Sequence, residues 1–258
     1  MKNVSAPVRP IPPIDRFLSH RPDIAIMAPY LSYLLLLGIR DFVPLEYAWV
    51  ASLVRGVGAL LVTAVVWKHL PAMGRPHWGA AITIGVLVAF GWYYGHLLTL
   101  SSGLPQRLPL PLFGGTPELA DPRAAVLSDG TALGAGGLFW LNSLTRVAVA
   151  VVTVPLVEEL FWRAFLLRAL IDWNNFENLP LGKFTWFSFL GTSLLSTVQH
   201  PDHWVVSIFC WFAFNALMYW KKSVLCLVIC HGVTNLVLYA WVLFVGLALG
   251  DARAWWLW

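Results

Sequence analysis

The chain has 258 residues, of which 59% are hydrophobic and only 12% charged, and its mean hydropathy is +0.70. A water-soluble domain of this size would have to cover its surface with apolar side chains, so the composition excludes that class. The net charge of +4 is small and no Lys/Arg block forms a nucleic-acid footprint. Long, continuous apolar runs predict an all-α, polytopic membrane helix bundle rather than a transmembrane β-barrel, which would show short alternating segments.

Residues 1–23 are polar, Pro-rich and basic, without the apolar core and cleavage site of a signal peptide. They read as a cytosolic N-terminal tail before a retained first helix, with 24–258 as a single integral-membrane domain. Against the roughly 20 residues that a span requires, apolar runs occur at 24–39, 47–67, 78–100, 146–168, 184–200, 203–220 and 223–249. Residues 101–130, rich in Gly, Pro and Leu, read as a long extramembrane loop at the bilayer surface. The mildly apolar stretch 131–145 is an additional span, a re-entrant piece or the front of a long fourth helix, which makes the expected count about seven to eight. Lys2, Arg9, Arg16 and Arg21, then Lys68, Arg75, Lys221 and Lys222, fall on one side, whereas turns on the other are neutral or acidic. The positive-inside rule therefore expects a multi-pass protein of the cell membrane with a cytosolic N-terminus. Cys210, Cys226 and Cys230 all lie in predicted spans and read as packing residues.

The fourth apolar run carries Glu158, Glu159 and Arg163. A carboxylate inside hydrocarbon is costly, and two adjacent ones require partners or water. Glu158 lies roughly 18 Å along the helix from Arg146, near mid-bilayer. Glu159 and Arg163 stand at i,i+4 and pair on one face, while Glu158 points about 100° away. Pro155 just before them removes one helix bond. His231 and Asn235 are again i,i+4 on an otherwise apolar helix, and His200 closes the fifth run. A carboxylate to act as general base, an imidazole to share its water and a His/Asn pair to donate to an oxyanion are equipment for hydrolysing an amide within a membrane. Blander readings stand beside this: a structural Glu159–Arg163 pair, interhelical glue at His231 and Asn235, and an interfacial His200. Arg55 reads as snorkelling or pairing with a buried acid, Asn215 and His96 as helix–helix hydrogen bonds, and His203 as interfacial. Tryptophans near span ends, including Trp67, Trp78, Trp140, Trp204, Trp220 and the closing Trp255, Trp256 and Trp258, read as an interfacial belt.

Glu158-Glu159-Leu160-Phe161-Trp162-Arg163 resembles the Glu-Glu-x-x-x-Arg motif of the CAAX-protease and bacteriocin-processing (CPBP, or Abi) family. His200 takes the place of its second-motif histidine, and His231-Gly-Val-Thr-Asn235 resembles its His-x-x-x-Asn motif. Order and spacing fit over about 146–240, the motif-bearing core. Ser196 departs from the pattern, since the family often has Phe four residues before that histidine. Length and tail also resemble the branch called CAAX prenyl protease-related proteins.

The resemblance implies that Glu158 activates water, that His200 shares it, that Glu159 with Arg163 orients the site, and that His231 and Asn235 stabilise the oxyanion. It implies an intramembrane endopeptidase acting on a membrane-embedded or lipidated protein substrate in the lipid bilayer, with no nucleic acid. No cofactor is expected: two histidines and a glutamate can bind zinc, yet no His-Glu-x-x-His pair is present. The presenilin-type set is incomplete, as no pair of core Asp residues lies in a span. Two alternatives remain at this level: a non-enzymatic immunity or secretion partner, and a proton-coupled transporter using Glu158 and Glu159 as a relay. The absence of an evident internal repeat counts against a transporter of paired halves.

Overall fold

A computed structural model describes residues 12–103 and 137–258. The first eleven residues of the tail and most of the expected loop at 101–130 lie outside the described residues. The described residues form helices and turns, with no strand among them.

An amphipathic α1 (Pro13–His20) precedes α2 (Pro22–Leu35), which runs on as a 3-10 helix, Leu36–Phe42. Then come α3 (Ala48–Val66), α4 (Trp78–Ser102) and α5 (Gly137–Glu159). Beyond Glu159, α5 continues as a π-helix over Leu160–Leu166 and a final α-turn, Leu167–Ala169. After it come α6 (Trp186–Thr197), α7 (Trp204–Lys221) and α8 (Val224–Leu243), which ends in a π-turn, Phe244–Ala248. A 3-10 segment, Ala252–Leu257, folds back on the bundle. The stretch 137–145 is thus the front of a long fourth apolar helix, the last of the three readings given above for it.

Helices long and apolar enough to cross a membrane cover Pro22–Phe42, Ala48–His69, Trp78–Ser102, Pro201–Lys221 and Val224–Ala248. Their lipid-compatible surface is direct: Leu61, Val65, Leu87, Leu98 and Phe209 are all well exposed. The shortest of the helices on the predicted apolar runs, α6, inverts the pattern of a soluble amphipathic helix. Ser188, Thr192, Ser193, Ser196 and Thr197 are buried, while Trp186, Phe187, Leu190, Leu194, Leu195 and Val198 face outward. Its hydroxyls bond backbone carbonyls of its own helix, as Ser196 does with Thr192, so burial leaves them satisfied. Asn215 on α7 donates to Thr192 Oγ1 at 2.9 Å and Ser193 Oγ at 2.8 Å, the helix–helix bond expected of it.

At the centre α8 packs against α4, α5 and α7, while α5 also packs against α3. Two glycines allow the close crossings. A Cβ at Gly85 would sit 2.7 Å from the Cys230 carbonyl, and one at Gly232 would sit 2.8 Å from the Val151 carbonyl. Val151 is the residue whose helix donor Pro155 cannot supply, so Gly232 packs on a carbonyl without its i+4 partner. The three cysteines are free and buried; Cys210, Cys226 and Cys230 pack with Leu160, Phe214 and Leu227, as their apolar context predicts.

Four expectations require correction. Trp255, Trp256 and Trp258 are buried rather than part of an interfacial belt, because the chain reverses at Gly250 (φ +68°) and tucks them beneath α8. Arg55 pairs with no acid among the described residues; it stays partly exposed, with its guanidinium 4.4 Å over the Tyr33 ring. His96 forms no hydrogen bond through its buried Nε2 and stacks on His203 at 4.4 Å instead. The fifth apolar run is a helix of only 12 residues, about 18 Å, against about 30 Å of bilayer core.

Candidate active site

That short helix explains how His200 comes to line the same cavity as Glu158. A full span would carry residue 200 to the bundle's end. Instead α6 stops at Thr197, and His200 sits in the connection to α7, with its ring 5.1 Å from Trp92 and 6.1 Å from Trp211.

The two adjacent glutamates have opposite surroundings. Glu159 is fully buried and ion-paired on two sides, both of its hydrogen bonds falling on Oε1. It pairs with Arg163 at 3.1 Å, as the i,i+4 spacing predicts, and with His231 Nδ1 at 2.8 Å. Arg163, 1% exposed, also lies 4.6 Å over the Trp211 ring and 5.4 Å from that of Phe214. This triad joins α5 to α8 across the Gly232 crossing. Glu158 has no ion-pair partner among the described residues; the neutral Gln199 side chain is the group that reaches it. A 100° turn of helix separates the two side chains, so only one of them can face α8 this way.

Glu158 faces a cavity of about 570 Å³ instead. His200, His231 and Asn235 line the same space, whereas Glu159 and Arg163 stand behind its wall. An acid, two imidazoles and a carboxamide from three separate regions of sequence therefore share one pocket. Asn235 gives one amide hydrogen to the Ala150 carbonyl at 2.7 Å, which fixes the side chain and leaves its second N–H. Because a carboxylate only accepts, the proton between Glu159 and His231 sits on Nδ1. Nε2 of a neutral His231 is then an acceptor, and it donates only when the ring is an imidazolium.

Sequence reasoning missed several contributors. Trp211 touches Arg163, His200 and His231. Its signal was present, since a tryptophan in the middle of α7 does not suit an interfacial belt. Gly232 sets the α5–α8 distance and stands inside the His-x-x-x-Asn motif. Gln199 donates to the Tyr30 hydroxyl at 2.6 Å, tying the turn before His200 to α2, and nothing in the spacing announced it. Among the described residues no group of three or more His, Cys, Asp or Glu side chains is placed to hold a metal ion.

Residues 140–237, which contain all six candidate positions, match the family described as Type II CAAX prenyl endopeptidase Rce1-like. This is the CAAX-protease family that the three motifs resemble, and it supports a CAAX-type intramembrane endopeptidase as the general class of activity. No curated protein and no solved structure matches the chain.

Proposed function

We propose that the chain is an intramembrane endopeptidase in which Glu158 activates the hydrolytic water. The observation that carries this reading is the asymmetry of the adjacent acids: Glu159 is paired with Arg163 and His231, while Glu158 has no ion-pair partner among the described residues and opens on the shared cavity. Glu158 takes a proton from water as its oxygen attacks the peptide carbonyl carbon, and the carbonyl electron pair moves onto oxygen. Asn235 offers its second N–H to that oxyanion, and His231 adds a donor when protonated. As the intermediate collapses, the C–N bond breaks and the proton held by Glu158 passes to the leaving amine. His200, whose ring nitrogens have no protein hydrogen-bond partner among the described residues, is positioned to hold the water. Glu159 and Arg163 act by orienting His231. This scheme needs only the side chains present, and 24–258 functions as one membrane domain with its core at 146–240.

The direction of access follows from where the charges lie. Asp15 pairs with Lys68 and His69, and Ser223 bonds the carbonyls of Met73 and Arg75, so the tail, the end of α3, the start of α4 and the α7–α8 turn gather at one basic end. The cavity is lined from the opposite end, by the 3-10 continuation of α2, the starts of α3 and α5, and Trp256–Trp258. With the basic end cytosolic, a substrate enters from the non-cytosolic face of the cell membrane. That fits a membrane-anchored protein whose tail has been exported.

Glu158→Gln is the decisive variant. It should insert and melt like the parent while yielding no cleavage product; undiminished product would end the catalytic assignment. Proton-coupled flux lost with proteolysis intact would instead favour a transporter.

A further inference from the structure

The acid that opens on the cavity has a neutral neighbour. The carboxamide of Gln199 reaches Glu158, and the same side chain donates through Nε2 to the Tyr30 hydroxyl at 2.6 Å. Gln199 directly precedes His200 in the connection between α6 and α7, while Tyr30 stands on α2. Neither Gln199 nor Tyr30 lines the cavity, whereas Glu158 and His200 both do. Tyr30 is itself held firmly. It is 4% exposed, and its ring lies 4.7 Å from Phe161 and 6.2 Å from Trp162, both in the π-helical stretch that follows the two glutamates. The anchor of Gln199 is therefore packed on the helix that carries the acid.

An amide nitrogen has two hydrogens, and spending one on Tyr30 fixes where the other points; a carboxylate can only accept it. Asn235 is pinned in the same manner, with one hydrogen on the Ala150 carbonyl. The difference is place: Asn235 faces the cavity, and Gln199 stands behind its wall. A glutamate side chain has three torsions, and without an ion pair the last of them needs a neutral donor to fix it.

We propose that Gln199, pinned by Tyr30, is a positioning residue for the hydrolytic acid. It turns the Glu158 carboxylate so that one oxygen faces the cavity water, and it sets the distance of that oxygen from His200. The proposal rests on the endopeptidase reading and adds how the base is aimed. Aim matters for rate, since a reacting group displaced by about 1 Å can cost about a hundredfold. One side chain thereby ties together the acid on α5, the histidine of the α6–α7 connection and α2.

The test uses Gln199→Met, which keeps the length of the side chain without its N–H donors, and Tyr30→Phe, which removes one oxygen. Infrared spectra in detergent, differenced against Glu158→Gln, isolate the Glu158 carboxyl band and need no substrate. That band should shift in Gln199→Met, and by less in Tyr30→Phe, because its frequency follows the hydrogen bonds to the group. With a fluorogenic prenylated CAAX-type peptide as probe, kcat should fall about tenfold or more in Gln199→Met, with KM changed by less than about twofold. The double variant should be no slower than Gln199→Met alone, since Tyr30 acts through Gln199. A band that stays in place in Gln199→Met, or in Tyr30→Phe should the former not fold, overturns the positioning role. So does a lowered melting temperature with kcat intact, which would leave the pair as a structural tie. The two readings fail separately. Continued cleavage by Glu158→Gln with the band shift intact removes the hydrolytic role alone. An inactive Glu158→Gln with an unshifted band in Gln199→Met removes the positioning role alone.

Discussion

At the cavity wall, Glu159 pairs with Arg163 behind it and with His231, which lines it, and the contact joins α5 to α8. On the cavity side, Glu158 faces the open space instead. Stability accounts for the first set. The contrast separates a paired acid from one without an ion-pair partner within two consecutive residues.

The largest effect should come from breaking the paired set. Glu159→Ala strands a guanidinium and an imidazole in the core, a loss of about 3–5 kcal/mol for a buried pair, read as a collapse of thermal stability in detergent. Glu158→Gln should show the reverse pattern, an unchanged or higher melting temperature with no activity. An equal loss of stability in both variants would erase the contrast. Next comes Gly232→Ala, whose Cβ would press to 2.8 Å on the Val151 carbonyl. Pushing α8 from α5 should cost about 1–3 kcal/mol and lower kcat more than it raises KM, since the His231–Glu159 contact crosses there. Wild-type kcat in a stably folded Gly232→Ala would show that this crossing does not set the site.

Asn215→Leu probes the polar seam between α6 and α7 away from the site. Intramembrane hydrogen bonds are each worth about 0.6–2 kcal/mol, so stability should fall modestly. Any change in kcat would arise only through the position of His200. The smallest effect is at the basic end, where Lys68, ahead of His69, holds the Asp15 carboxyl below its usual range. A depressed carboxyl pKa stabilises above the unfolded value, and that contribution is lost as pH falls through the folded one. Asp15→Asn should therefore flatten a slight acid-side loss of stability in low salt and change nothing at neutral pH in high salt.

Much of this arrangement was legible in residue order. Seven apolar runs anticipated α2 to α8 to within a few residues at most ends, and the i,i+4 spacing anticipated the Glu159–Arg163 pair. The depth of His200 was not legible. Its run looked almost long enough to span, and only the end of α6 at Thr197 places the ring beside Trp211. Nor was the role of the closing tryptophans, whose composition suits an interface but whose position after Gly250 folds them into the cavity wall. Arg55 misled for a related reason: one reading paired it with a buried acid, and here its guanidinium lies over Tyr33 instead.

Order along the chain by itself determined the membrane class, the place of most helices and the single-turn Glu159–Arg163 pair. Those features depend on local quantities, the transfer cost of apolar surface and the fixed rise and rotation of a helix. Which glutamate is ion-paired, how α8 meets α5 at Gly232 and how Gln199 comes to reach Glu158 were decided by packing. Such contacts join residues far apart in the chain, and their geometry depends on where each helix stops and how closely two backbones can approach.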